Sequence, residues 1–352
     1  MNTSLNAFEA QIAEIKAHIN TLEDAQTLMV QTRTSTPPAA ISETLNKILA
    51  RRNEEKKYEY RANIVSLYGV FERFVEDLIR EYVGDISRIC GSYDNLDEKI
   101  KGSYVEKWKT LHTNIVKGHT KYSLTIVKMA QNMHDTILQN SSIIMPECFI
   151  PIGGNYRHDV VCNCMADLGA TNIKSGMKKY EPLNTYIVNH GIVEDNIDES
   201  INLKLGDLVD RRNEVAHGAI GTMLGKEEYE EMMEFTVLYA RTINGYMNDE
   251  LKRVEWDLYS MVSAFSPFHL YHNNTVAAFH VENVSIKNGQ RYLIKWPQGR
   301  YPRYSEKTVI ELHTELADGS SSKVDEVNAT TDTVISVDCG LAVSDGCEFK
   351  FL

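Results

Sequence analysis

Hydrophobic periodicity changes once along this chain, near Ser266, and that change limits what it can fold into. Before it, apolar residues recur in steps of three and four, the period of helices packed on one another. After it, apolar and polar residues alternate in short runs separated by turn dipeptides, the period of strands. The expected fold is therefore mostly α: a helical bundle followed by a small antiparallel β-domain. With 352 residues the chain is long enough for two such units, each burying a core.

Residues 1–33 form an amphipathic heptad helix. Leu5, Phe8, Ile12, Ile15, Ile19 and Leu22 make a seam for another helix, either inside the molecule or across a dimer. Thr34-Ser35-Thr36-Pro37-Pro38 breaks it. A helical domain spans 42–262. Its first strong stripe, Ile64, Leu67, Phe71, Phe74 and Leu78, ends near Tyr82, ahead of Gly84 and Asp85. Residues 95–140 read as helix with interruptions near Gly102 and Gly118. Residues 141–154 are a loop too apolar to be a free linker, so it should pack on the bundle. Helix returns over Asn155–Leu168 and again, as a long final helix, over Lys226–Leu258.

The β-domain spans 266–352. Asn288-Gly289 should join Ala277–Ile286 to Arg291–Trp296 as a hairpin. Asp318-Gly319 separates Thr308–Leu316 from Val324–Val337, and Asp345-Gly346 separates Leu341–Ser344 from Cys347–Phe351.

Composition narrows the function. A net charge of −12 argues against a general nucleic-acid coating protein. It leaves room for a local basic track, since Lys99, Lys101, Lys107, Lys109, Lys117, His119, Lys121 and Lys128 cluster mid-chain; solvated helix faces explain the same residues. No run approaches the length of a membrane span, and Met1–Leu5 has neither a basic region nor an apolar signal core. Six Cys without metal-type pairing read as reduced thiols of a cytoplasmic protein. His269, His272 and His280 lack supporting ligand spacing, so no metal or other cofactor is expected. Gly153-Gly154 is not followed by Gly-Lys-Ser/Thr, and no Gly-x-Ser-x-Gly occurs.

The chemistry concentrates in Asp210-Arg211-Arg212-Asn213-Glu214-Val215-Ala216-His217-Gly218. With eleven His in the chain, an Arg followed by a His after four to six residues arises about once by chance, so context must carry the reading. A helix can be read from about Asn202 to His217, stopped by Gly218. Leu205, Leu208, Val209, Arg212, Val215 and Ala216 share one stripe, which puts Arg212 in line with the buried face, where a guanidinium is costly without a partner. Asn213 and His217, four apart, share a side. Arg211, four after Asp207, reads as a solvated acid–base pair. Arg212 and His217 are either a site or a polar cluster at a helix end. A planar cation that holds phosphate and an imidazole that moves protons are enough equipment to cleave RNA through its own 2′-hydroxyl.

The helical region resembles a HEPN domain of the larger kind found in prokaryotic defence and toxin loci. Arg212-Asn213-Glu214-Val215-Ala216-His217 is similar to that superfamily's R-x4-6-H signature with its polar residue after the Arg. Asn63–Phe74, with Phe71-Glu72-Arg73-Phe74, resembles the helix beneath that motif, and 153–169 resembles the helix after the mid-domain loop. The resemblance covers about residues 45–258. It implies a bundle that forms a homodimer, two motifs facing one cleft, and metal-independent endoribonuclease activity on an RNA substrate. His217 would act as general base or acid, Arg212 would clamp the scissile phosphate, and Asn213 would orient one of the two. Glu72 would support Arg212 or belong to a salt bridge elsewhere on the bundle. A toxin or antiviral effector, with or without an antitoxin partner, is the expected role. The alternative is an inactive HEPN module serving as a dimeric RNA-binding or protein-interaction scaffold.

Overall fold

The computed structural model describes residues 2–35, 37–119, 123–153, 155–218, 221–315 and 320–352. Helix α1 (Thr3–Thr34) and helix α2 (Ala39–Cys90) run antiparallel, with Phe8 against Phe74 at 5.0 Å between ring centroids and Arg52 bonded to Gln26. The heptad seam is filled inside the molecule: Phe8 and Ile12 are buried in the main core, with Leu5, Ile15 and Ile19 packed against it. The first turn of α1 is held by α2. Thr3 and Ser4 donate their amides, and Ser4 its hydroxyl, to the Glu81 carboxylate. Burial pushes that carboxyl up, but these donors outweigh it and hold it below the usual carboxylate range.

Helix α2 has 52 residues, about 78 Å at 1.5 Å per residue. Its C-terminal half is buried from Ile64 onward, whereas in its first half only Leu45 is. The apolar stripe does not end near Tyr82 as expected. The helix continues through Gly84 to Cys90 and stops at Gly91, whose φ of 68° suits a C-terminal cap. One interior glycine costs about 1 kcal/mol, and burying Val83, Ile86 and Cys90 on the same stripe outweighs it.

Helices α3 (Glu98–Val116) and α4 (Ile126–Leu138) follow, then α5 (His158–Asp167), α6 (Ile173–Met177), α7 (Leu183–Asn189), α8 (Ile197–Ala216) and α9 (Lys226–Leu258). Helix α3 runs through Gly102 without interruption and ends before Gly118, where φ is 70°. The apolar loop packs as expected, burying Ile144, Met145, Cys148, Phe149 and Ile150, although Ile143 is exposed; Gly154 lies outside the described residues. Helix α5 starts at His158 rather than Asn155 because Arg157 is extended. In the basic stretch, Lys99 and Lys107 pair with Asp167, Lys101 with Glu98 and Lys109 with Glu106. These are helix-surface ion pairs; Lys121 lies outside the described residues.

The β-domain comprises β1 (His269–Tyr271), β2 (Val276–Val281), β3 (Val284–Lys287), β4 (Arg291–Lys295), β5 (Tyr304–Thr308), β6 (Glu311–Glu315), β7 (Ser321–Val324), β8 (Glu326–Ala329), β9 (Thr333–Asp338) and β10 (Glu348–Phe351). All described pairings are antiparallel, in sheets ordered β1-β2-β9-β6-β7, β10-β4-β5 and β3-β8. Asn288-Gly289 makes a turn, with Gly289 at φ 76°, but no hairpin: β3 pairs with β8 and β4 with β5 and β10. Asp318-Gly319 falls outside the described residues, between the paired β6 and β7. Leu341–Ser344 is not a strand.

The β-domain is seated on α9 through buried charge. Arg303 reaches Asp249 and Glu250, Arg291 reaches Glu255, and the Lys350 ammonium donates to the carbonyls of Trp256 and Tyr259.

Candidate active site

Helix α8 begins at Ile197, earlier than the periodicity suggested, because a short turn of helix at Glu194–Asn196 leads into it. Ile201, Leu205, Leu208 and Val209 are buried against the bundle and fix the helix's rotation. That rotation decides where the polar residues of the last two turns point. The helix stops as the sequence indicated. The His217 amide bonds the Asn213 carbonyl at 3.0 Å, the Gly218 amide bonds that of Val215 at 3.1 Å, and Gly218 takes φ 77°.

Arg212 is half-buried at the edge of the α8–α2 contact. Its guanidinium carbon sits 4.6 Å from the ring centroid of Tyr68 on α2, within cation–π range. Its Nη1 donates to Oδ1 of Asn213 at 2.9 Å. Among the described residues no carboxylate forms an ion pair with it. Neighbouring arginines differ. Arg211 donates to Asp207 at 2.9 Å, to the Tyr60 hydroxyl at 3.0 Å and to the Thr222 carbonyl at 2.9 Å, so it is more than a solvated pair: it ties α8 to α2 and to the loop before α9. Arg157 forks onto Asp210. Arg211 and Arg157 are thus paired with carboxylates, while the contacts of Arg212 among the described residues are a neutral ring and a neutral amide.

His217 is exposed at the end of the same helix, one turn beyond Asn213. The structure therefore brings Arg212 and Asn213 into contact and sets His217 on the Asn213 side. Glu72 stands on α2 one turn from Tyr68, whose ring lies against the Arg212 guanidinium. Burial raises the Tyr68 phenol above its ordinary value; the Tyr156 amide pulls it back, the Glu72 charge raises it and the Arg212 charge lowers it. A cleft of about 530 Å³ beside α8, lined in part by Tyr186, Lys204, Asp207, Arg211 and Phe235, opens on the Arg211 flank rather than the Arg212 flank. The motif thus occupies surface, open to a polymer or to another chain.

Sequence reading passed over a second polar cluster. His158, 0% exposed, places Nδ1 3.0 Å from the Tyr239 hydroxyl and 3.5 Å from Cys162 Sγ, with Nε2 3.7 Å from Asp198. The four-residue spacing of His158 and Cys162 on α5 was its only local signal. Cys, His and Asp in a row resemble a nucleophile and its base, but burial pushes the Cys162 thiol up to about 12, so no thiolate forms near neutrality. This cluster holds α5 to α9. Burial also lowers the His158 pKa below its ordinary 6.5, and the Asp198 charge offsets this only in part. The unfolded chain then binds a proton below about pH 6.5 that the folded chain refuses. Stability is expected to be flat above that pH and to fall as pH drops below it, by at most about 1.4 kcal/mol per pH unit from this group. Urea midpoints of the parent and His158→Gln between pH 7 and 5 check this; an equal slope in both would rule His158 out as the source.

Among the described residues no group of three or more His, Cys, Asp or Glu is placed to hold a metal ion, and His280 pairs with Asp332 at 3.0 Å. No helix of the described residues is long and apolar enough to cross a membrane.

Comparison with known proteins gives a family. The RiboL-PSP-HEPN family model matches residues 39–249, more than half of the chain and the part that carries α2, α8 and most of α9. Comparison with curated proteins returned no match. Among solved structures, the crystal structure of the C-terminal domain of a Geobacillus thermoleovorans protein described as a U32 peptidase is similar at 9% identity, over 26% of this chain and 93% of that one, with a TM-score of 0.21. A likeness that loose supports no argument.

Proposed function

The chain belongs to the RiboL-PSP-HEPN family, and from that premise we propose that it is a metal-independent endoribonuclease, a toxin or antiviral effector, working through Arg212, Asn213 and His217. The family is one of ribonucleases and nucleotide-binding modules. One observation carries the finer reading: a half-buried guanidinium whose contacts among the described residues are neutral, bonded to Asn213, with an exposed imidazole one turn beyond that Asn. An anion can pair with such a cation, and RNA supplies one next to a 2′-hydroxyl. In this mechanism His217 takes the 2′-hydroxyl proton or delivers one to the departing 5′-oxygen. Arg212 offsets the charge that grows on the phosphorus oxygens. Asn213 holds one edge of the guanidinium. Two copies facing one another would close the open surface around the motif into a cleft, so we also propose a homodimer.

A cytoplasmic setting accords with six cysteines, all buried as free thiols. A second reading, a scaffold that binds RNA or protein without cutting, draws on the net charge of −12, which repels RNA away from the motif. One preparation tests both. The protein is expected to cut single-stranded RNA in excess chelator, to leave a 2′,3′-cyclic phosphate, and to have the mass of a dimer at micromolar concentration. Cutting that vanishes with chelator and returns with Mg²⁺ would refute the metal-free mechanism. Binding without cutting would select the scaffold, and a monomer that cuts would remove the shared cleft.

A further inference from the structure

Tyr68 belongs to a wired stack rather than a simple apolar stripe. It is 1% exposed, yet its hydroxyl accepts the Tyr156 amide at 3.3 Å. The Tyr156 hydroxyl donates in turn to Glu76 at 3.2 Å, and Arg80 donates to the other oxygen of Glu76 at 3.2 Å. The chain of contacts runs Arg212, Tyr68, Tyr156, Glu76, Arg80, and joins α8 to α2 and to the segment before α5.

We propose that Tyr68 is the positioning residue for Arg212: its ring, locked by the Tyr156 amide, sets the plane and reach of the guanidinium that meets the phosphate. This rests on the ribonuclease reading above. A guanidinium has five donors in one plane, so its orientation decides which of them an anion can meet. Asn213 fixes one edge through a single bond, which still permits rotation about it; a ring beneath the face removes that freedom. A carboxylate in the same place would orient Arg212 equally well but would discharge it. A neutral phenol orients without competing with phosphate, and burial keeps it neutral. The ring in turn cannot tilt while its hydroxyl is tied to the backbone.

The test is a pair of variants in two backgrounds. Tyr68→Phe keeps the ring but frees it from the Tyr156 amide and is expected to lower kcat by about three-fold, whereas Tyr68→Leu should lower kcat by about ten- to thirty-fold, with a smaller change in KM. In an Arg212→Lys background, Tyr68→Leu should cost less than about two-fold further, because nothing planar remains to orient. An equal loss in both backgrounds would mean that Tyr68 acts only through the core, and the proposal would fall. A second readout needs no catalysis. In the side-chain ¹H–¹⁵N spectrum of the full chain, the Arg212 Nε–H signal, identified by its loss in Arg212→Lys, is expected upfield through the ring current of Tyr68, and to move only partway back in Tyr68→Phe, which keeps the ring but loses its tie to the Tyr156 amide. A signal at the ordinary position would overturn the proposal even if Tyr68→Leu did not fold. If the parent cuts no RNA, the ribonuclease reading fails, while this spectrum still decides whether Tyr68 holds Arg212.

Discussion

His217→Ala is expected to remove RNA cleavage and leave the fold untouched. The imidazole is exposed and outside the core, and the contact His217 makes at the helix end uses its backbone amide, which alanine retains. Loss of a positioned acid–base group costs about a hundred- to ten-thousand-fold in rate. The melting temperature should stay within about a degree of the parent, since surface changes of this kind cost about 0.5 kcal/mol or less. Arg212→Lys belongs beside it. It keeps the charge but loses the planar fork, and should cost about a hundred-fold. A His217→Ala protein that cuts RNA as fast as the parent would end the assignment.

The largest loss of stability is expected from Arg303→Met. Asp249 and Glu250 lie on a face of α9 that the β-domain covers, with side chains 0% and 5% exposed, and Arg303 is paired to both. The Tyr304 amide also donates to Asp249 at 2.7 Å, and the Tyr180 hydroxyl bonds the same carboxylate. Burial works against the Arg303 charge, but the two carboxylates outweigh it and raise its pKa, so it stays a cation. Removing Arg303 strands the Asp249 charge, since Glu250 keeps Arg253 at 2.7 Å, and losing one partner of a buried pair costs about 3–5 kcal/mol. Urea unfolding should show that loss as a lower midpoint. Adding Asp249→Asn to Arg303→Met should recover much of it, because the stranded charge is then gone. A midpoint unchanged in the single variant would show that water reaches these acids and that the docking rests on apolar contact instead.

The motif helix, its stop at Gly218 and the switch from helices to antiparallel strands were all legible in the residues. These features are local. A helix closes its bonds between i and i+4, a strand alternates every second residue, and a left-handed glycine ends a helix wherever it falls. Arg212, Asn213 and His217 could be placed on their faces for the same reason. What no periodicity carries is which faces meet. Asn288-Gly289 turns the chain, but it does not choose partners: β3 joins β8, with Ile286 opposite Val327, and β4 joins β5 and β10. Gly84 looks like a stop until Val83 and Ile86 are seen buried on either side of it. Tyr68 reads as one more aromatic on a core stripe, and only the crossing of α2 with α8 puts it under Arg212. The same holds for Arg303 over Asp249 and for His158 beside Tyr239. Sequence by itself determined the elements and the chemistry each could offer, because hydrogen-bond period and side-chain type are properties of neighbours. The tertiary structure alone decided that Arg212 meets the ring of Tyr68 while Arg157 meets the carboxylate of Asp210, because that depends on which residues, distant along the chain, packing brings together.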